Sequence, residues 1–106
     1  MRMRGMGNMQ NMMKQMQKVQ KDMEKAQTEL DKTVYTVEDS NQLVKVVING
    51  KKQIQEIEIQ EELIDPEDIE MLQDLLLATV NEAIQKVELA SQETMGRFTQ
   101  GLNLPF

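Results

Sequence analysis

The feature that most constrains the fold is an apolar seam along residues 8–31, a stretch that no glycine or proline interrupts. Its members recur at steps of three and four, the a/d pattern of a heptad repeat. They are Met9, Met12, Met16, Val19, Met23, Ala26 and Leu30. The spacing predicts a helix over 8–31, about 36 Å long at roughly 1.5 Å per residue. A compact domain of about 100 residues has a radius of gyration near 13 Å. The helix therefore overhangs its own domain, and its seam needs another helix or another chain.

Methionine dominates the first half of this seam, and Met13 widens it. Because methionine is unbranched and polarizable, it packs adaptably and specifies geometry weakly. Two interpretations stay open at this stage. The seam is either a loosely packed contact, within a dimer or within the chain, or an exposed surface that adapts to a partner protein. Residues 1–7, before the predicted helix, are expected to form a flexible N-terminal arm.

The face of this helix opposite the seam is basic. Its lysines follow one another at steps of three and four, and they fall at heptad positions f and c when Met9 is position a. Residues 1–21 contain no acidic residue and carry a formal +5; since the whole chain carries −6, residues 22–106 carry −11. The basic residues of this helix face and of the arm before it are Arg2, Arg4, Lys14, Lys18, Lys21 and Lys25.

Three interpretations of this basic face remain open. Regularly spaced lysines are most often a solvated helix surface. A basic arm on an acidic body can instead bind a polyanion by releasing its counterions. A basic amphipathic helix can also lie on a membrane surface, but this segment has no Trp or Phe to anchor it there.

The middle of the chain predicts a three-stranded meander over residues 33–59. β-Branched residues indicate a strand over 33–37, the sequence at 39–41 is typical of a turn, and Asn49-Gly50 is a strong hairpin signal between strands at 43–48 and about 53–59. A two-residue turn there would place Val44 and Val46 opposite glutamines. We therefore expect a longer loop or a bulge at residues 50–52, which shifts the register.

The last third predicts a second helix over 66–95. Asp65 is a suitable N-cap and Pro66 suits the first helical position. Apolar residues then recur at helical spacing up to about Met95, and Leu77 broadens their face. Gly96 is expected to end the helix and to leave residues 96–106 as a tail.

These elements predict a single α+β domain over residues 1–106, in the order helix, three-stranded antiparallel sheet, helix (α-β-β-β-α). One helix can cover one face of such a sheet, but the edge strands and the overhanging first helix still need cover. Pairing two copies about a two-fold axis meets both needs. We therefore expect a homodimer with projecting helices.

The residue types present exclude most enzyme chemistry. With 0 Cys and 0 His, the chain cannot build Ser-His or Cys-His nucleophiles, or thiolate or imidazole metal sites. Its glycines form no phosphate-binding loop, and the acidic residues at 65–70 are explained by a helix N-terminus, which favours negative charge. We expect no catalytic, metal or cofactor site and no small-molecule substrate. No apolar run is long enough to span a bilayer, so a cytoplasmic protein without membrane attachment is expected.

Six segments, in order and nearly end to end, resemble the bacterial YbaB/EbfC nucleoid-associated family. They are residues 7–17 (GNMQNMMKQMQ), Leu43-Val44-Lys45-Val46 with Asn49-Gly50, residues 65–75 (DPEDIEMLQDL), Val80-Asn81-Glu82-Ala83, Met95-Gly96 through Gly101-Leu102, and Leu104-Pro105-Phe106. Two features depart from the family pattern. Residues 38–42 replace a glycine-rich turn, and the C-terminal tail is shorter than in many members.

The resemblance implies an α-β-β-β-α fold, a tweezer-like homodimer with projecting helices, and binding of double-stranded DNA in the nucleoid without catalysis. The family offers no strict residue signature for DNA contact, so the expected contacts are the six basic residues of the first helix and its arm. An alternative is a protein-binding adapter that uses the seam (Met9, Met12, Met16, Val19 and Met23), with DNA binding incidental.

Overall fold

The chain folds into two long helices joined by a small antiparallel sheet. The computed structural model describes the backbone of residues 2–102 and the side chains of residues 9–98. The elements, in chain order, are α1 (Arg2–Lys32), β1 (Val34–Glu38), β2 (Val44–Asn49), β3 (Ile54–Ile59), a 3-10 turn (Glu61–Leu63) and α2 (Ile69–Leu102). The predicted α+β fold, helix then three-stranded antiparallel sheet then helix, is confirmed.

Helix α1 begins at Arg2, before the predicted start at residue 8, so the expected flexible arm is helical over residues 2–7. Gly5 and Gly7 each cost a helix about 1 kcal/mol relative to alanine, but the Arg and Met residues around them are good helix formers. The helix closes at Thr33, whose N–H donates to the carbonyl oxygens of Glu29 and Leu30, each at 3.1 Å. The Thr33 hydroxyl also donates to the Glu29 carbonyl, at 2.8 Å.

The sheet is a meander in the order β1-β2-β3, with both pairs antiparallel. Val44 lies opposite Ile59 and Val46 opposite Ile57, so the apolar faces of β2 and β3 coincide. The register shifts between Val47 and Ile48, where β3 contains one extra residue. The predicted register shift is therefore confirmed, but the bulge lies at Gln55 within β3 rather than at residues 50–52.

The β2–β3 loop is longer than a two-residue turn, as expected, but its glycine is not the residue with a positive φ. Lys52, not Gly50, adopts the left-handed conformation, with φ 64°. Gly50 is required by space instead, because a Cβ there would overlap the carbonyl group of Leu30 at the end of α1. Its N–H donates to the Thr33 carbonyl oxygen at 3.0 Å. The hairpin therefore packs and hydrogen-bonds against the C-terminus of α1.

The β1–β2 turn is built around one carboxylate. Asp39 Oδ1 accepts the backbone N–H groups of Leu43 at 2.6 Å and Val44 at 2.7 Å, and Oδ2 accepts that of Asn41 at 3.1 Å. Gln42 completes the turn at φ 58°, a conformation that glycine adopts more easily. A chain without glycine at residues 38–42 therefore makes this turn by means of Asp39.

Helix α2 differs from the prediction at both ends. It begins at Ile69 rather than at 66, because Asp65 organises a preceding turn: its Oδ1 accepts the Glu67 N–H and its carbonyl accepts the Asp68 N–H, each at 3.0 Å. Asp68 takes the capping position, accepting the Met71 N–H at 3.3 Å. The helix then continues through Gly96 to Leu102, so Gly96 does not end it.

The core lies between α2 and the sheet. Val44, Val46 and Ile48 of β2 are fully buried, as is Ala83 of α2. The helix crosses β1 and β2, while Ile54 and Ile57 on the same face of β3 remain 41% and 44% exposed. The molecule extends over 81 × 24 × 15 Å, with a radius of gyration of 21.8 Å. The predicted overhang of the first helix is thus present.

Candidate nucleic-acid interface

The basic face of α1 is a continuous, exposed stripe. The lysines at 14, 18, 21 and 25 are all exposed. Consecutive lysines are about 4.5–6 Å apart along the helix axis, so four positive charges follow one line down one side of α1. The side chains of Arg2 and Arg4 lie outside the described residues, although the backbone of both is helical. The structure therefore brings together four of the six predicted contact residues.

The lysine stripe has no counterions from the protein in the part of the chain with described side chains. The two ion pairs there are on the body: Lys45 with Glu58 at 2.9 Å and Lys52 with Glu88 at 3.1 Å. The hydrogen bond and the charge of Glu58 raise the pKa of Lys45 above its usual value. The cations of the body are thus partly compensated by neighbouring carboxylates, whereas those of the stripe face solvent. An uncompensated row of cations is suited to binding a polyanion.

Negative charge is concentrated in the opposite part of the molecule. Residues 53–85 contain ten acidic residues and no basic one, and they form β3, the 3-10 turn and the first half of α2. The second half of α2 lies beside α1, where Thr94 and Phe98 share a cleft with Ala26 and Leu30. The acidic half of the molecule therefore lies away from the projecting part of α1.

The apolar seam of α1 divides into two halves. Near the sheet, Leu30 is buried, and Val19 and Met23 are half-buried. Toward the N-terminus the four methionines with described side chains are exposed, by 66% (Met9), 62% (Met12), 60% (Met13) and 66% (Met16). We call this exposed half the methionine tip. Of the five predicted seam residues, the structure thus partly covers two, Val19 and Met23.

A second apolar surface was not identified from the sequence. Ile54 and Ile57 on β3 are exposed beside the core, and Leu77 of α2 is 65% exposed. Leu77 lies on the same side of α2 as Ile84 and Glu88, and Glu88 pairs with Lys52 of the β2–β3 loop. We call Ile54, Ile57 and Leu77 the open face. From the sequence, Leu77 was expected only to broaden the apolar face of the second helix, and Ile54 and Ile57 were not singled out. The available signal was that a single helix cannot cover all three strands.

The clefts of the described residues contain no arrangement typical of catalysis. They are shallow, and one of them is lined by side chains such as Thr36, Glu82 and Lys86. Among the described residues, no group of three or more acidic side chains is placed to hold a metal ion. In the same part of the chain, no helix combines the length and apolar character needed to cross a membrane.

Sequence comparisons with known proteins identify the family and the relatives to which this chain is similar. Residues 6–102 match the sequence profile of the YbaB/EbfC DNA-binding family. The chain is 56% identical over 101 residues to a nucleoid-associated protein of Bacillus licheniformis, covering 95% of this chain and 94% of that protein. A nucleoid-associated protein of Bacillus cytotoxicus is also 56% identical, with 95% and 93% covered.

A solved structure shares the fold. It is that of an uncharacterized protein from Helicobacter pylori, with a TM-score of 0.68 and 20% identity over 81% of this chain and 90% of that chain.

Proposed function

The chain belongs to the YbaB/EbfC DNA-binding family, and on that basis we propose that it binds double-stranded DNA in the nucleoid through the lysine stripe of α1. The observation that carries this assignment is the stripe itself: four exposed lysines in one line, without ion pairs among the described side chains. Arg4 precedes them at heptad position c of the same helix and extends the proposed contact, and Arg2, at position a, adds a further cation at the N-terminal end of the helix. Each phosphate neutralised by one of these cations releases counterions from DNA.

We propose that sequence preference is weak. Lysine presents a point charge on a flexible stem, without the planar fork with which arginine recognises a guanine edge. Contacts to phosphates fix position on the duplex but carry no sequence information. The acidic body, which gives the chain a pI of about 4.6, would be repelled by DNA. It would therefore limit affinity and turn the basic arm toward the duplex.

We propose further that the protein acts as a homodimer formed through the open face. Ile54, Ile57 and Leu77 are exposed directly beside the buried core, and β3 is an edge strand. A two-fold axis at this face would cover the apolar side chains of both copies at once. Two copies would bring two basic arms to one duplex, and simultaneous attachment at two places raises affinity without any new kind of contact.

The same proposal places the protein in the cytoplasm, at the nucleoid, with no membrane attachment, no small-molecule substrate and no catalytic step. Its relatives are named for association with the nucleoid, and phosphate binding by lysines needs no cofactor.

The exposed methionine tip favours a second candidate function, a protein-binding adapter. Binding at an apolar methionine surface changes little with salt, whereas phosphate binding weakens steeply.

The test is a titration of a labelled duplex with the protein at several salt concentrations, with fluorescence anisotropy as the measure of binding. The variant K14Q/K18Q/K21Q removes three charges from the stripe, and K51Q/K52Q/K86Q, the matched control, removes three from the body. We expect the slope of log K against log salt to become shallower by up to about 0.9 per lost phosphate contact in the stripe variant. The control should keep the original slope.

Two results would contradict the proposed mechanism. Absence of binding even at low salt would remove the proposed function. Equal losses in the stripe variant and the body control would mean that net charge, not the stripe, governs binding. Duplexes of unrelated sequence, titrated in parallel, should differ by no more than a few fold, because phosphate contacts carry no base information.

A further inference from the structure

The methionine tip and the lysine stripe lie on opposite sides of α1. Met9, Met12 and Met16 occupy heptad positions a and d, whereas the lysines occupy f and c, about half a turn around the helix. When the lysines face phosphates, the methionines face away from that duplex. DNA binding as proposed above would therefore leave the methionine tip uncovered.

The methionine tip continues an interface that already exists within the chain. The same seam lies against α2 at Ala26 and Leu30, which share a cleft with Thr94 and Phe98, and Leu30 is only 7% exposed. Helix α1 then runs on toward its N-terminus with unchanged apolar spacing, while its methionines become 60–66% exposed. An apolar seam of helical spacing is suited to packing against another helix.

The residues that flank the methionine tip are uncharged. Gln15 and Gln20 lie beside it at the flanking heptad positions g and e, and residues 1–21 contain no acidic side chain that would select a basic partner. Two such helices brought seam to seam would keep their lysines on the outside, so their like charges would stay apart. The surface is therefore complementary to a second copy of itself.

We propose that the methionine tip is a contact between α1 helices of neighbouring dimers bound to the same DNA. Four methionines from each helix cover less than the roughly 1,200 Å² of a stable specific interface, so the contact is too small to join dimers in free solution. Neighbours held on one duplex have an effective concentration in the millimolar range, at which a weak contact forms. The expected consequence is cooperative DNA binding.

This inference rests on the proposed DNA-binding function, and the experiment separates the two. Binding is compared on a short duplex that holds one dimer and on a long duplex that holds several. The variant M9Q/M12Q/M13Q/M16Q keeps good helix formers but removes the apolar surface. We expect wild-type affinity and salt slope on the short duplex, and loss of cooperativity on the long one. Affinity per dimer on the long duplex should fall by about tenfold.

Cross-linking gives an independent measurement, because the chain has 0 Cys. Oxidation of M12C on the long duplex should join chains covalently, whereas N11C, on the outer side of the same turn, should not. Equal cross-linking of the two variants would overturn the proposal, as would cooperativity that survives the glutamine variant. Wild type that binds the short duplex but shows no cooperativity on the long one would also overturn it, and would leave the tip to the chain's own C-terminal residues or to another protein. Failure to bind the short duplex would instead refute the DNA-binding function itself.

Discussion

At the residue scale, Asp39 shows how one carboxylate can replace a glycine-rich turn. It accepts three backbone N–H groups, and the hydrogen bond from Val44, supported by those from Asn41 and Leu43, lowers its pKa below the usual 3.8 despite an opposing effect of desolvation. A carboxylate whose pKa is lower in the folded state stabilises the fold fully above the unfolded pKa. That stabilisation is lost as the pH falls through the folded pKa.

Asp39→Asn should therefore lower the melting temperature at pH 7, because an amide accepts these hydrogen bonds more weakly than a carboxylate. The difference from wild type should begin to shrink as the pH falls below about 4, the pKa of an unfolded aspartate, and should disappear below the lowered pKa of folded Asp39. Thermal unfolding followed by circular dichroism across this range tests both statements. Glu62→Gln, at an exposed site in the turn before α2, is the control. A difference between wild type and Asp39→Asn that stays constant down to pH 2 would contradict the assignment.

At the scale of the elements, the sequence predicts secondary structure most reliably where neighbouring residues alone determine it. The heptad spacing of α1, the β-branched strands and the mismatch of a two-residue turn at Asn49-Gly50 predicted two helices and a shifted meander. Helix ends were less predictable, because they depend on distant contacts and on competition between caps. Asp65 and Asp68 are both good caps, and only the geometry of the turn before α2 selects Asp68.

Replacing Gly50 and Gly96 by alanine should change the free energy of unfolding in opposite directions. Gly50→Ala places a Cβ against the backbone of Leu30, so the junction of α1 with the hairpin must move, at a cost of about 3 kcal/mol. At Gly96 nothing lies within 4 Å of a Cβ. Gly96→Ala should stabilise α2 by about 0.5–1 kcal/mol, because alanine is the better helix former. Denaturant unfolding measures both changes; a stable Gly50→Ala would refute the proposed packing role.

At the scale of the whole molecule, charge and apolar surface are arranged along a rod 81 Å long. The sequence predicted the lysine stripe because helical periodicity alone places it. The open face could not be found in that way, since Ile54, Ile57 and Leu77 have the residue types of a core. Their exposure follows from the path of α2, which crosses β1 and β2 and leaves β3 uncovered, and that path is a property of the tertiary structure.

The open face makes a final prediction about the assembly. Leu77 and Leu89 are similarly exposed on α2, by 65% and 59%, but they lie about a third of a turn apart around it. Leu77 lies on the side of α2 that carries Glu88, which pairs with Lys52 of the β2–β3 loop, whereas Leu89 lines a cleft with β1 residues. Leu77→Glu should convert a dimer into monomers, since it places two charges in a desolvated contact, whereas Leu89→Glu should leave the mass unchanged. Sedimentation equilibrium without DNA measures this. A monomeric wild type would refute the homodimer, and equal dissociation of the two variants would place the dimer contact elsewhere.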